Sequence, residues 1–196
     1  DYLMISHFHS DHTGDALNAA SRTTGRHPDY VLTGIAGTGE SLRFGTVFDR
    51  GYPGYDYPLP VRDRDVDNYR AFLQWQKEQY GTRQERFEVG RLNQIHLQND
   101  SSRYGDTFTI RNLAANGEIW NPETGKTLRT YDLNPENLDP ARQNENTKSL
   151  ALRIDYGPFS YYTGGDLSAN VLDGTGNLLN VEELAGQACG EVDVCK

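Results

Sequence analysis

Tyr2-Leu3-Met4-Ile5-Ser6-His7-Phe8-His9-Ser10-Asp11-His12-Thr13-Gly14 is the stretch on which the fold turns. Tyr2 to Ile5 is a short apolar run closed by Ser6, the pattern of the end of a buried strand. Four groups able to bind a metal follow within six residues: His7, His9, Asp11 and His12. Residues two apart in an extended segment project to the same side, so His7 and His9 can share one ion. The turn that follows brings Asp11 and His12 alongside, where they can serve a second. Imidazole nitrogens with one or two carboxylates suit zinc, and also manganese or iron. The alternating residues Phe8 and Ser10 face away or pack. Three of the chain's five histidines stand here, and packing alone gives no reason to crowd imidazoles that would repel one another once protonated.

Outward from the motif, Thr13 to Ala20 predicts a helix whose N-terminal amides and dipole would favour Asp11. Tyr30 to Leu32 reads as a short strand, and Gly34 to Gly39 as a flexible link. Leu42 to Asp49 ends in a strand with an acid at its tip. Arg50 to Pro60 reads as an ordered loop whose tyrosines, at 52, 55 and 57, either stack bases or pack. Asp65 to Tyr80 carries Tyr69, Phe72, Leu73 and Trp75 near helical spacing, with Gly81 as the stop. Phe87 to His96, Thr107 to Leu113 and Glu118 to Trp120 read as strands, Asn121 to Gly125 as a turn, and Asn134 to Asn146 as a polar loop. Ser149 to Tyr156 and Phe159 to Thr163 read as two strands joined tightly at Gly157-Pro158. Val181 to Ala185 predicts a short helix and Val192 to Val194 a strand. Without repeats or low-complexity tracts, the 196 residues read as one domain with no internal boundary.

That length supports a real core. Hydrophobic residues are only 36% and the mean hydropathy is −0.74, yet 12 Tyr, 7 Phe and several β-rich runs argue against disorder. The net charge of −9 comes without a basic stripe, the nearest approach being the mixed run Arg62-Asp63-Arg64-Asp65. This surface is therefore not expected to hold duplex DNA tightly. A phosphate substrate stays compatible, because bound divalent ions would supply local positive charge. No run of 18 apolar residues is present, so no membrane span is expected in this chain. Cys189 and Cys195 could close a short disulfide, but two free thiols are the favoured reading. His27, in a turn before Pro28, reads as a surface residue. His96 reads as a core residue, or one behind the ligands, on a strand.

Asp166 ends a strand and follows Gly164-Gly165, where glycines let the backbone turn sharply. Alone, that is the sign of an ordinary turn. His-x-His-x-Asp-His after an apolar strand, with Thr163-Gly164-Gly165-Asp166 ending a later one, resembles the metallo-β-lactamase superfamily. The resemblance implies an α/β fold, a four-layer αβ/βα sandwich with one or two metal ions at one edge of the sheets. It assigns His7 and His9 to one ion, Asp11 and His12 to the other, and Asp166 as the bridge. The extra glycine before Asp166 is a small departure. Asn144 to Leu150, then Tyr156-Gly157 and Phe159 to Asp166, look closest to the ComEC-like competence proteins. Many hydrolases of the superfamily have a histidine just before this Ser149, whereas Glu145 and Asn146 stand here. A further His-bearing loop expected after Val192 to Val194 would lie past Lys196. Strands and an Asp-containing loop would precede Asp1. The chain thus reads as the interior of a longer domain, incomplete at both ends.

What the resemblance implies chemically is a hydrolase using a metal-bound hydroxide, with Asp11 orienting the hydroxide while ligating. Zinc is the expected ion, with manganese or iron as alternatives. The link of ComEC-like proteins to DNA handling points to a phosphodiester or nucleic-acid-like substrate. A lactam or thioester hydrolase, and a metal-binding domain without activity, are the alternatives.

Overall fold

The computed structural model describes residues 1–18, 23–130, 144–168, 171–172 and 178–196. The protein is mixed α/β and divides into two compact units, Asp1–Arg86 and Phe87–Lys196.

The first unit contains β1 (Tyr2–Ile5), α1 (Ser10–Thr13), α2 (Gly34–Gly39), β2 (Thr46–Asp49), α3 (Arg64–Tyr80) and β3 (Arg83–Arg86). Its three strands form a parallel sheet in the order β1-β2-β3, with Ile5 level with Asp49 and Asp49 level with Arg86. Parallel strands are usually covered on both faces, and all four residues of β2 are buried accordingly. The long helix starts where Asp63 accepts a bond from the Asp65 amide (2.7 Å). It stops at Gly81, whose φ of +71° supplies the left-handed turn past the helix end. Its inward stripe of Val66, Tyr69, Phe72 and Leu73 is almost wholly buried. Around Phe72 an aromatic cluster forms with Tyr30 and Trp75, ring centroids 5.6 and 6.1 Å away.

The expected helix over 13–20 is not what forms. The helical turn lies earlier, at Ser10–Thr13, so it carries Asp11 and His12 itself. Residues 14–18 form a turn, while 19 and 20 lie outside the described residues. The cause is a backbone crossing. Gly14 leaves the helix at φ +111° and passes so close to Thr33 and Gly34 that a Cβ would stand 2.7 Å from the Thr33 carbonyl carbon. Asp65 then holds the turn from the first turn of α3, accepting from the amides of Ala16 (2.6 Å) and Leu17 (3.3 Å). Gly34 to Gly39, expected as a flexible link, is α2. Tyr30 to Leu32 is no strand but the single bridge of Val31 to Thr24.

The second unit contains α4 (Ser101–Tyr104), β4 (Phe108–Ala115), β5 (Glu118–Asn121), β6 (Lys126–Arg129), β7 (Ala151–Tyr156), β8 (Phe159–Thr163), β9 (Val171–Leu172), β10 (Leu178–Leu179), α5 (Val181–Cys189) and β11 (Val194–Cys195). Six strands make one sheet in the order β11-β8-β7-β4-β5-β6, antiparallel except for β11 beside β8. β9 and β10 pair separately. The strand expected over 87–96 does not form. Gly90 turns at φ +82° against the Trp120 ring, where a Cβ would meet the indole at 2.6 Å. The segment joins the sheet only through Leu92 opposite Arg111 and side-chain bonds such as Asn112 Nδ2 to the Glu88 carbonyl (3.0 Å). At its far end, helix α5 runs on to Cys189, where Arg153 donates to the carbonyls of Cys189 (2.5 Å) and Glu191 (2.9 Å). Cys189 is a buried free thiol and Cys195 an exposed one, so no disulfide joins them. Of the polar loop expected over 134–146, residues 134–143 lie outside the described residues, and Glu145–Lys148 is a tight helical turn. Among the described residues no helix is long and apolar enough to cross a membrane.

Two glycines separate conformational strain from steric exclusion. Both stand at positive φ, but Gly81 has open space where a Cβ would go. Gly81→Ala should cost about 1 kcal/mol, the left-handed strain alone. Gly14→Ala adds a backbone collision and should cost more than about 3 kcal/mol in urea unfolding. Equal costs would mean that the crossing at Gly14 does not constrain the chain.

Candidate metal centre

β1 delivers its last residue to the edge of the parallel sheet, and the chain turns there from Ser6 to Thr13. His7 is fully buried, His9 and His12 are half-buried, and Asp11 is exposed. The two pairs expected from the sequence meet tip to tip. His7 Nε2 lies 3.1 Å from His9 Nδ1. His12 Nε2 lies 3.6 Å from Asp11 Oδ2. These are the separations of a hydrogen bond and an ion pair, and they lie to either side of the about 3.3–3.4 Å between two ligand atoms of one tetrahedral zinc. Imidazole nitrogens and a carboxylate are donors that zinc accepts, and each pair offers two of them. The rings pack closely, His9 edge-on and His12 tilted, with centroids 4.8 and 4.1 Å from that of His7.

Phe8 explains why the histidines stand as they do. It points into the core, 5% exposed, with Tyr55 stacked 5.9 Å away and the Arg50 guanidinium 4.7 Å over its face. Ser10 on the same alternation is exposed. Beneath Phe8 lies a feature that sequence reasoning saw only as an acid at a strand tip. Asp49, 1% exposed, accepts from the amides of Gly51 (2.8 Å) and Tyr52 (2.9 Å) and from the hydroxyls of Tyr55 (2.8 Å) and Tyr69 (3.0 Å). Tyr55 in turn accepts from Gln84 (3.0 Å) on β3. This carboxylate is thus bound from β2, the following loop, α3 and, through Tyr55, β3. It fixes the floor on which Phe8 rests. The loop tyrosines are accordingly packing residues: Tyr55 is buried and Tyr52 lies against the core, so neither offers a face for base stacking.

The remaining residues singled out by sequence fall elsewhere. His27 is half-buried beside Asp29 (3.4 Å). His96, expected in the core of a strand, is exposed in an irregular segment and near Gln98 (3.3 Å). Asp166 belongs to the second unit, exposed in the turn after β8, where Gly165 takes φ +58° and Leu167 donates back to Gly164 (3.0 Å). Glu145 lies 3.6 Å from Lys148, both side chains being largely buried. Asn146 Oδ1 is buried and has no hydrogen-bond partner among the described residues. No family model, curated protein or solved structure matches this chain.

Burial, and next the Asp49 charge, raise the Tyr55 and Tyr69 hydroxyls above the ordinary value of 10. A raised folded value means that the folded state keeps protons which the unfolded state has released. The associated stability is whole below pH 10 and is lost as pH rises beyond it, by about 1.4 kcal/mol per pH unit for each phenol. Tyr55→Phe should therefore be the less stable protein at pH 8 but lose less stability than wild type between pH 10 and 11. Parallel losses in the two proteins would contradict the burial of a protonated Tyr55 on Asp49.

Proposed function

We propose that this chain forms the metal-binding part of a metal-dependent hydrolase of the metallo-β-lactamase kind, with the αβ/βα architecture that this implies. The observation that carries the reading is the convergence of two donor pairs, His7 with His9 and His12 with Asp11, each close to the spacing of one ion's ligands. In this reading His7 and His9 would hold one ion, and His12 and Asp11 a second.

When bound, zinc, manganese or iron supplies Lewis acidity, acidifying water and offsetting negative charge on the reacting oxygen. The chain's own residues do the rest. The buried histidine and the Phe8 floor fix the ligand rings before any ion arrives, which limits the reorganisation that binding requires. Asp11, exposed beside His12, is placed to accept a proton from water and orient it towards a substrate entering from solvent. The favoured substrate is a phosphodiester, single-stranded nucleic acid included, as the resemblance to ComEC-like proteins implies; at a net charge of −9 bound ions would be the local source of positive charge.

Wild-type protein should take up zinc or manganese and hydrolyse bis-p-nitrophenyl phosphate faster than nitrocefin or a glutathione thioester. His9→Ala should deplete metal and lower turnover by on the order of 10²-fold or more. Faster cleavage of nitrocefin or the thioester would move the substrate class. Full metal without turnover on any ester would leave a binding domain.

A further inference from the structure

Ser6 is the last residue before the histidines and only 9% exposed. Its Oγ lies 3.1 Å from His7 Nδ1 and 3.4 Å from His12 Nδ1. One hydroxyl therefore touches the inner nitrogen of two imidazoles whose outer nitrogens belong to different donor pairs. His7 Nε2 faces His9 Nδ1, and His12 Nε2 faces Asp11 Oδ2.

A neutral imidazole has one N–H and one lone pair, and a metal takes the lone pair. For His7 and His12 to ligate through Nε2, each must carry its proton on Nδ1. A serine hydroxyl has two lone pairs, enough to accept both N–H groups while its own proton points elsewhere. We propose that Ser6 Oγ is the common acceptor for His7 Nδ1–H and His12 Nδ1–H, and so a positioning residue that sets both tautomers for two metal ions at once. Rotation of either ring is then coupled to the other through a single atom six residues away from His12 in sequence. The same arrangement defines the state of His9. With His7 Nε2 unprotonated, His9 Nδ1–H donates to it in the metal-free protein, and an ion held by both nitrogens would leave the proton of His9 on its Nε2. The metal half of this inference rests on the function proposed above, whereas the tautomer half does not.

The test is imidazole ¹⁵N NMR on the metal-free full chain, followed by zinc competition against a chelator, for wild type, Ser6→Ala and Ser6→Thr. Wild type and Ser6→Thr should show His7 and His12 protonated at Nδ1, and Ser6→Ala should show mixed tautomers at both. Zinc affinity at both sites should fall about 10-fold or more in Ser6→Ala and be restored in Ser6→Thr, the usual scale for a residue hydrogen-bonded to ligands. Unchanged tautomers in Ser6→Ala, or a change at one histidine only, would overturn the shared role. Failure of wild type to take zinc would defeat the metal reading while leaving the tautomer result to decide the role of Ser6.

Discussion

The rings of His9 and His12 pack with centroids 4.8 and 4.1 Å from that of His7, a side chain cut off from water. A buried polar ring without a partner is costly, so each nitrogen of His7 needs a hydrogen-bonding or ligand neighbour. Everything around it serves that constraint. β1 ends at the edge of a buried parallel sheet, α1 folds the next turn back, and Phe8 anchors the strand of histidines against the core. Ser6 beneath and Asp11 outside complete a set in which both nitrogens of His7 and of His12 have a defined neighbour.

The geometry is held from several elements whose roles are physically distinct. Asp49 gathers four hydrogen bonds in a dry setting, where a carboxylate left unsatisfied would be expensive and a satisfied one is rigid. Gly14 and Gly34 let two backbone segments pass in contact, and no side chain fits between them. Asp65 pins the loop that leaves the site. Such restraints hold the side chains around His7 in place, and in the proposed reading an ion would bind there without refolding.

Much of this was legible in the sequence, because the signals were local. An apolar run followed by histidines at alternate positions indicates both the strand and the convergence of His7 with His9. Helix α3 was legible from its periodicity and from Gly81. The hidden parts depend on partners far away in the chain. Nothing near Asp49 announces that Tyr69, twenty residues on, donates to it. The helix expected after the motif failed because Gly14 had to meet Thr33, a contact with no local signature. The strand expected over 87–96 failed through the pairing of Gly90 with Trp120. Ser6 looked like a strand terminator, and its role appears only once His7 and His12 are folded over it.

The most direct measurement of the central claim is X-ray absorption at the zinc edge of the loaded protein. The account predicts imidazole scattering from at least two histidines, with nitrogen at about 2.0–2.1 Å. A shell of oxygen alone, with no imidazole multiple scattering, would contradict it.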